Sequence, residues 1–164
     1  MQLLAFTIGA EEYAIEAHRV IEVLPLVAAR PIPRMPDFVR GIFTHRGRLV
    51  PLVDLGRLLT DTPLRARLGT RVIVVEFSSG DDSSAPHAIR LGAAAENVLS
   101  LCSSTGAETS LSALHPPHAP YLGRLVRIGG RTLQLLNVEH LLPASLLGHL
   151  VAPTPASTDG QSRP

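Results

Sequence analysis

The sequence predicts a mostly β protein built as small barrels, and three observations support that reading. Its apolar runs are short, as in Val72-Ile73-Val74-Val75 and Leu49-Val50-Pro51-Leu52-Val53. Turn-forming residues separate them, among them Arg46-Gly47 and Gly129-Gly130. No long helical pattern alternates with the runs, as a βαβ sheet would require.

Residues 3–8 and 13–15 flank the polar loop Gly9-Ala10-Glu11-Glu12 and read as a hairpin. Residues 17–24 fit either a short helix or a strand, because Val20, Val23 and Leu24 have helical spacing while β-branched residues crowd the segment. Pro25 closes it. Pro31, Pro33 and Pro36 then impose an extended crossing, since each pushes its predecessor out of the α region.

Residues 41–59 are the centre of the chain: strand, turn, strand and capped helix in one run. Gly47 suits a positive φ at the turn, and Asp54 stands where its carboxylate caps the helix begun by Leu55. Pro51 lacks an N–H, so its strand is expected at an edge, or with that position turned from its neighbour. Residues 60–69 read as a polar connection, and residues 72–75 as a strand buried on both faces. Residues 78–86 form a Ser/Asp/Gly loop, residues 87–91 and 98–101 two further strands, and Ala93-Ala94-Ala95 has no assigned state. Residues 103–120 are the least structured interior stretch. Residues 122–136 make a second hairpin about Gly129-Gly130; Asn137 suits a cap and Pro143 a helix start. Residues 151–164 are rich in Pro, Ala, Ser and Thr and are expected to be a disordered tail after a domain spanning 1–150.

Composition narrows the function. All fifteen basic residues are arginine, a bias that a GC-rich genome produces unaided, and the net charge of +1 argues against a general polyanion binder. Arg30, Arg34, Arg40, Arg46, Arg48 and Arg57 nevertheless outnumber Asp37 and Asp54 locally. No apolar run approaches the ~20 residues of a membrane span, and the start lacks the features of a signal peptide. One cysteine, Cys102, precludes an internal disulfide and fits a reducing cytoplasm. It reads as a structural thiol, not a nucleophile. His115 and His118 are the one histidine pair with ligand-like spacing, but prolines interrupt them and no further ligands stand nearby. No phosphate loop or Gly-x-Ser-x-Gly elbow is present. The expectation is a non-enzyme without metal or cofactor.

The central run resembles the CheW-like domain, the adaptor module of bacterial chemotaxis arrays: Gly41, Arg46, Gly47, Pro51, Asp54 and Leu55 fall in register with its signature. Supporting pieces follow in order, with Phe6-Thr7-Ile8-Gly9, Val20-Ile21-Glu22-Val23, Arg34-Met35-Pro36 and Leu136-Asn137-Val138-Glu139-His140-Leu141-Leu142 each similar to a family segment. The resemblance implies two SH3-like five-stranded barrels around a shared core and a non-catalytic adaptor. Its implied partners are a methyl-accepting chemoreceptor tip and the regulatory domain of a CheA-type histidine kinase, with no nucleic acid and no membrane insertion. It also implies a cytoplasmic location at receptor arrays. Val20, Glu22, Gly41 and Arg46 match positions on the family's partner-binding surface; Gly47, Pro51 and Asp54 build turn and cap. Arg46 has two open readings, partner contact or internal brace. Thr44 replaces the family's Asn, His45 an apolar residue, and Gly92-Ala93-Ala94-Ala95 its Val-Asp-x-Val pattern. Residues 22–27 and 119–123 look closer to adaptors of the Wsp surface-sensing type, whose output is cyclic-di-GMP. The alternatives from other classes are a small barrel binding RNA or a small ligand, and a metal hydrolase using His115 and His118.

Overall fold

The computed structural model describes residues 1–78, 88–98, 100–104, 108–111 and 116–150. Strands β1 (Gln2–Ile8) and β2 (Glu11–Glu16) form the N-terminal hairpin, with Gly9 at φ +60° in its turn. β10 (Leu122–Ile128) and β11 (Arg131–Leu136) form the second hairpin about Gly129 and Gly130. A parallel pairing of β11 with β2 joins the two, and β8 (Leu101–Ser103) and β9 (Glu108–Leu111) complete a six-stranded sheet ordered β8-β1-β2-β11-β10-β9. Thus a sheet from the chain's two ends carries one strand more than the five expected.

The middle of the chain makes a five-stranded sheet, in which β3 (Val20–Pro25), β4 (Val39–His45), β5 (Arg48–Asp54), β6 (Arg71–Ser78) and β7 (Ala88–Ala95) are ordered β3-β6-β7-β5-β4. Residues 17–24 combine both expectations: a 3-10 turn, Ala17–Arg19, leads into β3. Val72, Ile73, Val74 and Val75 are fully buried, as an unbroken apolar strand requires. The run Gly92 to Ala95 is also strand, and its small residues have a packing reason. A Cβ on Gly92 would lie 2.7 Å from the Phe43 ring and 3.1 Å from Val72, so Phe43 occupies the space left there.

The two sheets meet at Thr7 and Glu96, whose backbones exchange hydrogen bonds of 3.0 and 3.2 Å, and Asn97 donates to the Thr7 hydroxyl at 3.0 Å. One apolar cluster draws Phe6, Ile15 and Leu136 from the first sheet, Leu52 and Ile73 from the second, and Leu141 and Leu142 from the C-terminal segment. Each such side chain contributes roughly 1.5–3 kcal/mol when fully buried, so this shared core binds the sheets into one unit. A smaller cluster of Leu3, Ala14, Val126 and Leu133 fills the first sheet alone.

Pro51 follows the second of its two expectations, a position turned from its neighbour. β5 lies between β7 and β4, so its strand is interior. Pro51 pairs with Ile42, but the Ile42 N–H and C=O both bond to Arg30 on the opposite side, at 2.9 and 2.8 Å. The pair therefore exchanges no backbone hydrogen bonds, and the parallel ladder to β7 begins only at Leu52. The missing N–H falls beyond that ladder's end.

Helix α1 (Leu55–Thr60) follows β5, and α2 (Ala144–Leu150) begins just after Pro143. A 3-10 turn, Val138–His140, stands after Asn137, whose side chain makes no cap bond. Cys102 is half-buried and its thiol donates to the Leu3 carbonyl at 3.6 Å. The expected tail at 151–164, most of the loop at 78–86, and His115 lie outside the described residues.

Candidate functional site

The central hairpin is positioned by a tight turn. His45 pairs with Arg48, leaving Arg46 and Gly47 as a two-residue loop with φ of 48° and 75°. Two positive φ values mark a type I′ turn, which suits the right-handed twist of the flanking strands. Glycine accommodates this freely, whereas arginine accommodates it at a cost of about 1–2 kcal/mol. Something must therefore offset the strain at Arg46, and its side chain shows a partner.

Glu22 is that partner. Its Oε2 accepts from Arg46 Nη2 at 3.2 Å and from His45 Nε2 at 2.8 Å. The His45 side chain is only 5% exposed, while Arg46 remains 61% exposed. Since a carboxylate only accepts, the His45 proton in this pair sits on Nε2. The hydrogen bond from His45 holds the Glu22 carboxyl below the usual carboxylate range; loss of solvation opposes that, and the Arg46 charge reinforces it.

These contacts cross the fold in an informative way. Glu22 is on β3 and His45 on β4, the two outermost strands of the five-stranded sheet. Four strand spacings of about 4.8 Å would hold the edges of a flat sheet roughly 19 Å apart, beyond the reach of Glu and His side chains. The sheet is therefore curled, and side chains bridge the seam that the backbone ladder leaves open. Away from the seam, between neighbouring strands, Arg48 on β5 bonds the Ala88 carbonyl of β7 at 2.9 Å, and Arg90 of β7 bonds Glu76 of β6 at 3.0 Å.

Val20 starts the same strand, two residues before Glu22. It pairs with Val75 while Glu22 pairs with Val74, so Ile21 is the extra residue of a bulge. Val20, Ile21, Glu22 and Val23, with Leu4 and Leu101, line an open groove of about 720 Å³. Val23 and Leu101 are exposed there, at 39% and 59%. Val20 is half-buried and also packs on the core.

Gly41 has a different position. It is buried, with φ +140°, and a Cβ on it would lie 2.0 Å from the Arg30 carbonyl oxygen. The 30–31 segment crosses directly over it. Asp54 is buried as well: it caps α1 by accepting from the Arg57 N–H at 3.1 Å, and it receives the Leu64 N–H at 3.3 Å. Arg40 completes its surroundings, with Nη2 and Nε at 2.8 and 2.9 Å from Oδ2.

The CheW-like domain matches residues 2–145. The chain belongs to this family. Within it, the chain is similar to the protein FrzA of Myxococcus xanthus, 33% identical over 73 residues, covering 44% of this chain and 46% of that protein. It is similar to the chemotaxis protein CheW of Helicobacter pylori, 36% identical over 78 residues, covering 48% and 47%. A longer alignment joins it to CheW of Klebsiella aerogenes, 29% identical over 146 residues, covering 86% and 81%. The first two matches thus span about half the length of those relatives. Among solved structures, the scaffolding protein TtCheW of Thermoanaerobacter tengcongensis shares the fold with a TM-score of 0.69 at 19% identity, covering 87% of each chain.

Of the residues matched to the family pattern, Glu22 and Arg46 meet at the seam, Val20 lines the adjoining groove together with Glu22, and Gly41 lies apart beneath the 30–31 segment. His45 and Arg40 are the residues whose parts sequence reasoning missed. A signal for His45 existed: it alternates with Gly41 and Phe43, which places it on the buried face of β4. Arg40 gave no such signal beyond its share of the local arginine excess, because its partner, fourteen positions on, becomes a neighbour only through the hairpin. Of the six arginines in this region, Arg40, Arg46, Arg48 and Arg57 all bond groups of the chain itself. Among the described residues no three His, Cys, Asp or Glu groups cluster as a metal site, and His118 is exposed. No helix among them is long and apolar enough to cross a membrane.

Proposed function

We propose that this chain is a non-catalytic adaptor that couples a chemoreceptor's cytoplasmic tip to the regulatory domain of a CheA-type histidine kinase, acting in the cytoplasm at receptor arrays. The observation that carries the reading is the contact of Glu22 with exposed Arg46 at the seam, beside a groove that Val20 and Glu22 line, in a chain matched to the CheW-like domain nearly throughout. Arg46 serves both of its readings: one N–H braces Glu22, and the rest of the fork is available to a partner. Gly41 acts indirectly, by letting the 30–31 segment cross beside the hairpin.

The finer proposal is an output to cyclic-di-GMP synthesis through a Wsp-type system. Its support is the likeness of residues 22–27 and 119–123 to such adaptors. Binding of RNA is the weaker reading, because most of the local arginine excess is engaged within the fold.

Isothermal titration of the purified chain with the cognate kinase regulatory domain, and separately with a receptor-tip fragment, tests the adaptor reading. Micromolar binding weakened by Arg46→Ala and Glu22→Ala is expected. Absence of binding to both partners would overturn it.

A further inference from the structure

His45 stands out because it is buried, polar and placed where the family has an apolar residue. Its Nδ1 has no hydrogen-bond partner among the described residues, so the bond from Nε2 to Glu22 is the ring's one polar tether there. A buried polar ring held by a single bond is a poor choice for packing alone, since an apolar side chain would leave no polar atom unpaired. The arrangement makes sense if the bond itself has a task.

We propose that His45 is a positioning residue for the partner-binding surface: it clasps the two edge strands of the curled sheet and fixes Glu22 so that one carboxylate oxygen remains for a partner. Oε2 accepts from both His45 and Arg46, which fills its two lone pairs. Oε1 makes no bond to any described residue, and the Glu22 side chain is 36% exposed. A partner that reads Glu22 therefore does so with a single cationic donor, a lysine ammonium or one arginine N–H. An end-on guanidinium fork needs both oxygens and is disfavoured. This makes the partner's donor type a specificity element of this chain, set by a residue that touches no partner itself.

The inference rests on the adaptor reading for its partner but not for the clasp, so two measurements separate them. Amide hydrogen exchange of β3 and β4 is compared in the wild type, His45→Leu and His45→Gln. Leucine removes the tether at similar volume, while glutamine keeps a donor near the position of Nε2. Exchange in β3 is expected to rise about tenfold in His45→Leu and to return close to wild type in His45→Gln, the loss of one charge-assisted hydrogen bond being of that size. Affinity for the kinase regulatory domain is expected to follow the same order, about tenfold weaker for leucine and within about threefold for glutamine. Unchanged β3 exchange in His45→Leu, or a His45→Gln protein as impaired as His45→Leu in either measurement, would overturn the clasp. So would a His45→Leu protein with faster exchange but wild-type affinity, since positioning would then not matter to the partner. If the wild type binds neither the kinase domain nor the receptor tip, the adaptor reading fails while the exchange result still decides the clasp.

Discussion

Half-buried Arg40 and buried Asp54 form an ion pair that ties the first strand of the central hairpin to the cap of α1. Both contacts are to Oδ2, at 2.8 and 2.9 Å, and the same arginine also reaches the Leu64 carbonyl at 3.0 Å. Asp54 is 1% exposed, and its oxygens take the Arg57 and Leu64 N–H groups besides. One carboxylate therefore holds a strand end, a helix start and the connection that follows.

Arg40→Ala leaves that carboxylate buried without its cation. A loss of about 2 kcal/mol is expected, between the cost of breaking a fully buried pair and that of an exposed one, because Asp54 is buried and Arg40 only half so. Urea denaturation at neutral pH measures it. A loss below about 1 kcal/mol would mean that the two N–H bonds alone hold Asp54.

Gly41→Ala is expected to be severe for a different reason. Its new Cβ would meet the Arg30 carbonyl oxygen at 2.0 Å, a backbone atom without a rotamer to yield, at a φ of +140° that side chains avoid. Destabilisation of about 3 kcal/mol or more follows from overpacking and strain together. The same denaturation experiment reads it, with Gly47→Ala as a milder comparison because open space surrounds that position.

Arg46→Asn separates turn strain from recognition. Asparagine enters the left-handed region more readily, which relieves about 1 kcal/mol, and loss of the exposed contact to Glu22 takes back at most about as much. The melting temperature is expected to change by no more than about 4 °C, while affinity for the kinase domain falls. A large drop in melting temperature would make Arg46 chiefly a brace.

Acid should weaken the seam through Glu22. Its folded-state pKa is lowered from 4.5, so its contribution is fully present above the unfolded value and disappears as pH falls through the lower folded one. The melting temperatures of the wild type and Glu22→Gln are expected to differ most above pH 4.5 and to converge at lower pH. A gap that stays constant down to pH 3 would exclude the linkage.

Truncation after Leu150 removes residues that offer little apolar surface to bury. The melting temperature is expected to stay within about 2 °C, as differential scanning calorimetry would show. A clear fall would mean that these residues pack on the domain.

Much of this protein is legible from neighbouring residues alone. The Arg46-Gly47 turn, the Asp54 cap and the second hairpin each follow from interactions a few residues long, where positive φ, a missing N–H or a free helix N–H permits few residue types. The signature built on those same features placed the chain in its family. By contrast, the sheet order, the interior place of β5, the Arg40–Asp54 pair and the His45–Glu22 clasp emerged only in three dimensions. Glu22 and His45 stand 23 positions apart on strands at opposite ends of the sheet order, and only its curl brings them within 2.8 Å. Local chemistry decides turns and caps because their partners are adjacent in the chain. Which buried polar groups meet across a seam depends on how the whole sheet closes around its core.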